Sequence, residues 1–328
     1  MTHEADSNQT KKKTLEQAFN TIFHDKEDFS EFCSLDVISE VEPFTISDRE
    51  VFKTSDRLKR YLRFIDRIIL RHLSIDTDVV HSFSQEKNTY TAVKEHVGND
   101  YFFLTDIESF FSKIKTEDVK KILYRNINNI PISDIENYID FLSSVVSFNN
   151  QLPVGFSTSP RLSNCFLYDF DITLKTYCSR ESLTYTRYAD DVIISGTSFE
   201  KLERLKTTIQ DFLKIHASDE LHLNKSKTRI THLGNKVKIL GLMILPNRTI
   251  TIDAKYKSRL ELLLHFYSNN KEKYQSYLDE NFNGSEKSVF GMLHYVQSID
   301  PDYLDKLQRK YGIYAVRFFM EKKSNDNR

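Results

Sequence analysis

Thr184-Tyr185-Thr186-Arg187-Tyr188-Ala189-Asp190-Asp191-Val192-Ile193-Ile194-Ser195-Gly196 is the stretch on which the fold turns. Its two β-rich runs, Thr184–Tyr188 and Val192–Gly196, flank Ala-Asp-Asp and predict a hairpin with paired aspartates at the tip. Upstream, Tyr101-Phe102-Phe103-Leu104-Thr105-Asp106 reads as a short apolar strand ending in an aspartate, and Ile107–Ile114 continues into a turn. An Asp-Asp pair in a loop is ordinarily just a turn. A second aspartate at a strand end, in a matching context, is what gives this pair weight.

Carboxylates offered by two neighbouring strands suit hard divalent cations. Magnesium prefers oxygen ligands and binds through one or two carboxylates plus substrate phosphates. Nucleotidyl transfer uses two such ions roughly 4 Å apart, one lowering the pKa of the attacking hydroxyl and the other holding the triphosphate. Asp106, Asp190 and Asp191 are therefore the candidate catalytic and metal-binding acids.

The rest of the chain is that of an ordinary globular protein. Of 328 residues, 39% are hydrophobic and 28% charged, which is enough to bury a core in two or three compact units. No apolar run approaches the roughly 20 residues of a membrane span. MTHEADSNQTKKK lacks the apolar stretch of a signal peptide. Three cysteines without CxxC spacing argue for reduced thiols, against a disulfide framework or structural zinc, and for a cytoplasmic location. The net charge of -1 conceals an uneven distribution. Acidic residues crowd Asp25–Glu42, whereas Arg49–Arg71 is predominantly basic, so a polarised surface is expected.

Residues 1–13 are polar and expected to be disordered, and 14–42 read as short helices. Asp56–Leu73 reads as an amphipathic helix with Leu58, Leu62, Ile65 and Ile69 on one face. Arg60, Arg63, Arg67 and Arg71 form a stripe on another face, suited to solvent or to backbone phosphates. Further helices are expected over Asp118–Asn126, Ser133–Phe148, Pro160–Tyr177 and Glu200–His216, with strands at Lys238–Leu245 and Thr249–Ile252. After Lys255 the pattern is helical.

Six ordered motifs, within a match that runs from about Arg49 to Gly312, carry a family resemblance. FFLTDIESFF resembles the first catalytic motif of bacterial reverse transcriptases of the retron type and their defence-associated relatives. LPVGFSTSPRLSN resembles their template- and nucleotide-positioning motif, and YTRYADDVIISG their YxDD hairpin. LHLNKSKT is similar to the lysine motif and KILGLMI to the primer-grip strand, while KLQRKYG is similar to the end of the thumb.

The resemblance implies a role for each matching residue. Asp106 and Asp190 would ligate the metals, with the Ile107 carbonyl as a further ligand and Asp191 adding negative potential. Phe111 falls where the family places a steric gate against a 2′-hydroxyl, which favours a DNA product. Arg49 matches an arginine that would clamp the triphosphate, and Lys227 a lysine near the pyrophosphate leaving group. Val154, Gly155, Ser159 and Pro160 would approach the template base and incoming nucleotide, and Leu240 and Gly241 would seat the primer end. Arg60, Arg63 and Arg67 would contact the nucleic-acid backbone. Lys255, Lys257, Arg259, Lys306, Arg309 and Lys310 are further phosphate candidates in the thumb.

Departures from the pattern narrow what is implied. Val154 stands where the family commonly has Gln, which removes a hydrogen-bond partner near the nucleotide. The retron Asn-Ala-x-x-His element is reduced here to His96 of Ala92-Val93-Lys94-Glu95-His96, and the thumb Val-Thr-Gly is replaced by Ile239-Leu240-Gly241. These losses put the retron's own RNA in doubt as the partner, though not polymerisation.

The expected architecture is an α+β right-hand polymerase. Its parts would be a polar, acidic extension (1–42), fingers and an antiparallel palm (43–235), and primer-grip strands with a helical thumb (236–328). The expected activity is RNA-directed DNA polymerisation with two Mg²⁺ ions, or Mn²⁺ in their place. The implied partners are dNTPs, a dedicated non-coding RNA as template or primer, and the DNA product, and a second defence protein encoded nearby is weighed with them. The role would be bacterial defence against phage, and no nuclease, integrase or maturase unit fits after Gly312. The rival readings are a true retron enzyme making branched RNA-linked DNA, a nucleotidyl cyclase, and a non-catalytic RNA-binding scaffold.

Overall fold

The computed structural model describes residues 12–46 and 49–321. The expectation of disorder over 1–11 lies outside these residues. In chain order the first elements are α1 (Leu15–Phe23), α2 (Phe29–Cys33), β1 (Val41–Ile46), β2 (Arg49–Thr54), α3 (Asp56–Ile68) and α4 (Thr89–Lys94). There follow β3 (Tyr101–Asp106), α5 (Phe110–Lys113), α6 (Thr116–Arg125), α7 (Ile139–Val145), α8 (Ser159–Phe166) and α9 (Tyr168–Arg180). Next come β4 (Thr184–Tyr188), β5 (Asp191–Gly196), α10 (Phe199–Glu203), α11 (Leu205–His216) and β6 (Arg229–His232). A second group of strands is β7 (Val237–Ile239), β8 (Leu242–Ile244) and β9 (Ile250–Ile252). The last helices are α12 (Ala254–Asn269), α13 (Lys271–Phe282), α14 (Lys287–Ile299), α15 (Pro301–Tyr311) and α16 (Ile313–Glu321).

The fold is α+β, with three sheets ordered β1-β2, β4-β5-β3-β6 and β7-β8-β9. The chain forms two compact units. One comprises the residues up to Asn88, Leu104–Ile194 and Glu203–Arg229; the other comprises Thr89–Phe103, Ser195–Leu202 and the chain from Ile230. This division differs from the three consecutive segments expected from the sequence.

In the first unit, α1 starts with a capping box in which Thr14 and Gln17 satisfy each other's backbone N–H groups. Leu15 and Phe19 of α1 are fully buried, and the Phe19 ring packs on Phe32, Tyr61 and Phe64 at centroid distances of 5.1, 5.9 and 5.4 Å. Lys12 donates to the carbonyls of Asn128 (3.2 Å) and Ile130 (2.8 Å), and Ser133 N–H donates to the Lys13 carbonyl (2.9 Å). Lys12 and Lys13 are thus held in place, contrary to the expected disorder, because burying α1 draws their backbone alongside 128–133.

α3 is capped by Ser55, whose Oγ accepts the Leu58 N–H at 3.0 Å, and it buries Leu58, Tyr61, Leu62, Phe64 and Ile65. It ends at Ile68 rather than Leu73. Leu70–His72 tighten into a 3₁₀ turn that brings Leu70 and Leu73 to the same side, both buried. The hairpin β1–β2, paired from Val41↔Thr54 to Ile46↔Arg49, had no sequence expectation. Phe44 and Ile46 face solvent while Phe52 is buried, so no burial period marks it. Three expected helices are interrupted. Pro160–Tyr177 breaks at Leu167 into α8 and α9, Glu200–His216 breaks at Arg204 into α10 and α11, and Ser133–Phe148 is a 3₁₀ turn followed by α7.

In the second unit, the expected strand Lys238–Leu245 folds back on itself. Leu240 and Gly241 adopt φ of +49° and +82°, the two positive φ values of a two-residue hairpin turn, which pairs β7 with β8. Helices α12–α16 bury Leu260, Leu264, Leu293, Val296 and Phe319. His96, buried, meets the Ser195 hydroxyl at 2.6 Å, and Asn99 donates to the same oxygen at 2.7 Å.

Candidate active site

Backbone hydrogen bonds bring the two acidic stretches together. The N–H of Ile107, just past the end of β3, donates to the Asp190 carbonyl at 3.0 Å, tying β3 to the β4–β5 tip. Beyond it, Glu108 N–H donates to the His222 carbonyl (2.9 Å), and Asn224 N–H donates to the Asp106 carbonyl (2.9 Å). Asp106 is therefore flanked by the Asp190 tip and the segment carrying Lys227. Ala189 turns that tip at φ +54°, a left-handed conformation that strains an L-residue.

The electrostatics follow from this crowding. Asp106 is 4% exposed; its Oδ2 accepts from Lys227 Nζ at 2.7 Å, while its buried Oδ1 has no hydrogen-bond partner among the described residues. Burial, then the charges of Asp190 and Asp106, push the Asp191 carboxyl up to about 6. Its hydrogen bond to Asp106 raises the Lys227 ammonium above the ordinary lysine value, so it stays charged. Among the described residues, no three His, Cys, Asp or Glu side chains converge as a closed metal-binding set. The sequence expected Lys227 beside a leaving pyrophosphate; here its ammonium lies against Asp106.

A cavity of about 460 Å³ opens beside the acids, lined by Asp106, Ile107, Asp190 and Lys227 together with Phe110, Phe111, Gln151 and Val154. Phe111 is half-buried at its wall and Phe110 is buried. Gly155, Ser159 and Pro160, expected at the nucleotide, do not line this cavity. Ser159 is buried and its hydroxyl donates to the Pro153 carbonyl at 2.7 Å, while Pro160 sits in the first turn of α8. Gly155 (φ +113°) makes a close approach to the backbone of β2. A Cβ there would lie 2.3 Å from the Phe52 carbonyl oxygen, and Phe52 N–H donates to the Val154 carbonyl at 2.8 Å. Arg49 lies on β2, but its side chain falls outside the described residues.

The basic stripe of α3 is partly neutralised. Arg60 pairs with Glu27 at 2.7 Å, and Arg57 pairs with Glu31 at 3.1 Å, so part of the acidic segment neutralises part of the basic one. Arg63 and Arg67 are exposed and make no ion pair among the described residues. In the second unit, Gly241 lines a separate cavity of about 550 Å³ with Lys238, Lys255, Arg259, Tyr256 and Tyr295. Of the other thumb candidates, Lys257 and Lys310 are paired with Asp300 (2.8 Å) and Glu261 (2.6 Å), whereas Lys306 and Arg309 are exposed. Sequence reasoning missed Gln151 and the buried Arg187. Arg187 alone carried a signal, a cation inside a strand otherwise built of threonine and tyrosine.

Sheet and backbone hydrogen bonds together bring a strand-end aspartate beside an Asp-Asp hairpin tip. The chain belongs to the reverse transcriptase (RNA-dependent DNA polymerase) family, whose model matches residues 51–244, more than half its length. It is an RNA-directed DNA polymerase, and its template and product are RNA and DNA. It is similar to retron Ec86 reverse transcriptase of Escherichia coli, 26% identical over 272 residues covering 80% of this chain and 78% of that one. Retron Ec83 reverse transcriptase of the same species is 25% identical over 285 residues, covering 83% and 86%. A solved structure with partial likeness is telomerase from Candida albicans in complex with a telomeric RNA fragment. It has a TM-score of 0.42 at 12% identity, covering 83% of this chain and 51% of that one. Enzymes of the family use divalent metal ions. No helix among the described residues is long and apolar enough to cross a membrane.

Proposed function

We propose that the chain extends a primer at Asp106, Asp190 and Asp191 by two-metal nucleotidyl transfer, with deoxynucleotides as substrate. The observation that carries this reading is the meeting of Asp106, Asp190 and the Phe111 ring in one cavity. The residues fit divalent cations. Asp106 Oδ1 is a buried acceptor with no donor among the described residues, and burial, with the charges of Asp190 and Asp106 added to it, raises the Asp191 carboxyl. Mg²⁺, or Mn²⁺ in its place, would be held by Asp106, Asp190, Asp191 and the Ile107 carbonyl; when bound it supplies the acidity of the primer hydroxyl and charge for the triphosphate.

The side chains contribute the rest. Phe111 presents an apolar ring that a 2′-hydroxyl would meet, selecting deoxyribose. Lys227, released from Asp106, carries a proton to the leaving pyrophosphate. Val154 offers the nucleotide an apolar surface, and Arg49 is assigned to the triphosphate by its match to the family arginine. Gly155, Ser159 and Pro160 hold the adjoining loop against β2 and α8, which shapes the nucleotide site from behind. Arg63 and Arg67 follow the nucleic-acid backbone, while Leu240 and Gly241 form the turn for the primer end. On this reading the segments 43–235 and 236–328 act as fingers and palm and as thumb.

The biological reading is a cytoplasmic bacterial enzyme of phage defence that copies a dedicated non-coding RNA, with a second defence protein encoded nearby. A true retron enzyme making branched RNA-linked DNA is the second reading. It is favoured by similarity to retron reverse transcriptases along about four-fifths of the chain. Sequencing the nucleic acid that co-purifies from cells separates the two, since a 2′-branched RNA–DNA product identifies the retron.

Primer extension on an RNA template tests the chemistry, with Asp190→Asn as the control. Wild type is expected to incorporate dNTPs and the variant to lose activity by at least about a thousandfold. Wild-type protein that incorporates no dNTP with either metal overturns the mechanism. Phe111→Ala is expected to raise ribonucleotide use, and unchanged sugar selectivity removes the gate.

A further inference from the structure

Arg187 and Asp171 are both fully buried, an arrangement that apolar residues of equal size would often match or better for stability. The pair is bidentate. Nε meets Asp171 Oδ1 at 2.8 Å and Nη2 meets Oδ2 at 2.6 Å, and the Tyr185 hydroxyl donates to Oδ1 at 2.7 Å. The carboxylate needs no more donors than these.

The remaining guanidinium nitrogen points elsewhere. Nη1 donates to the Ala189 carbonyl at 2.8 Å and to Asn164 Oδ1 at 3.1 Å. The Ala189 N–H donates to Ser82 Oγ at 2.8 Å, and the Ser82 hydroxyl donates to the same Asn164 oxygen at 3.2 Å. Asn164 Nδ2 closes the ring on the Ser82 carbonyl at 2.9 Å. Both backbone groups of Ala189 are therefore gripped from the interior, and its carbonyl belongs to the peptide bond that opens onto Asp190. Such a grip offsets the strain of φ +54°.

We propose that Arg187, Asp171, Asn164 and Ser82 form a positioning device for the catalytic hairpin. They lock the left-handed Ala189 peptide and so set the direction in which Asp190 and Asp191 project. Arg187 and Ser82 act on backbone, not on substrate. The proposal rests on the assignment of Asp190 and Asp191 as the catalytic acids. It adds that their geometry is imposed from behind by a polar core whose purpose is orientation.

Two variants of the full chain test this. Ser82→Ala removes one hydroxyl and leaves the ion pair in place. Arg187→Met combined with Asp171→Leu and Tyr185→Phe replaces the charged group by apolar side chains of similar volume. Both are expected to melt within about 5 °C of wild type. Misplacing the acids is expected to lower Mn²⁺ affinity, read by electron paramagnetic resonance, about tenfold, and kcat about a hundredfold, with the KM for dNTP changed less than about threefold. A folded triple variant with wild-type Mn²⁺ affinity and kcat overturns the proposal. If the triple variant does not fold, wild-type values in Ser82→Ala overturn it by themselves. The Mn²⁺ measurement decides the matter even if wild type fails to polymerise, in which case it is the polymerase reading that falls.

Discussion

The Lys227 ammonium donates to Asp106 Oδ2 at 2.7 Å, although the lysine side chain is 56% exposed and the aspartate side chain only 5%. A half-exposed cation thus holds an oxygen that a divalent ion would also take. Lys227→Ala removes this competitor. The Mg²⁺ concentration for half-maximal primer extension is expected to fall severalfold, while kcat drops about 10- to 100-fold under the proposal that Lys227 is the proton donor. A metal titration at saturating dNTP checks both. A rise in the Mg²⁺ requirement would show that Lys227 assists metal binding instead.

Asp191 makes the metal-free site costly near neutral pH. Its carboxyl is raised from 3.8 to about 6, so between these values the folded state binds the proton more tightly than the unfolded chain. Folding stability therefore declines as pH rises through that window. Asp191→Asn escapes the loss and is expected to be more stable than metal-free wild type at neutral pH by about 1–2 kcal/mol, after discounting for solvent screening. The difference should close towards pH 3.8. Urea denaturation in EDTA across this range measures it.

Gly155→Ala places a methyl 2.3 Å from the Phe52 carbonyl oxygen at a φ of +113°. The clash is with backbone, which cannot swing aside as a side-chain tip could. A loss of about 2–4 kcal/mol is expected, together with reduced activity, because Phe52 and Val154 line the cavity beside Asp106. Thermal melts should record it. A near-neutral melt would mean that β2 can lift away freely.

Arg60, Arg63 and Arg67 look equivalent along α3 but differ in their partners. All three are exposed, but Arg60 is engaged by Glu27, whereas Arg63 and Arg67 make no ion pair among the described residues. Alanine at Arg63 or Arg67 is expected to weaken binding to an RNA–DNA duplex and to reduce the salt slope by about one for each phosphate no longer neutralised. Arg60→Ala should change it far less. Binding isotherms at several salt concentrations discriminate the three, and equal effects would refute the distinction.

The acids and their hairpin were legible because their signals are local. Tyr101–Asp106 and Thr184–Gly196 carry their β-pattern within a few residues, and the observed β3, β4 and β5 match them closely. The break at Leu167, the 3₁₀ turn at Leu70–His72 and the exposed β1–β2 hairpin were not legible. In the hairpin, the exposed Phe44 and Ile46 leave no burial period to read.

The sequence, read through its family resemblance, identified the class of enzyme and offered Asp106, Asp190 and Asp191 as candidate acids and Phe111 as a candidate gate, since these motifs are local and ordered. The sequence could not tell whether those groups meet, nor what each neighbouring polar residue is occupied with. Tertiary folding decided that Asp106 lies against the Asp190 tip, that the Ser159 hydroxyl turns to Pro153, that Gly155 packs against the Phe52 backbone and that Arg60 pairs with Glu27. A side chain's type is encoded at its own position, but its partner is chosen by the whole chain's burial.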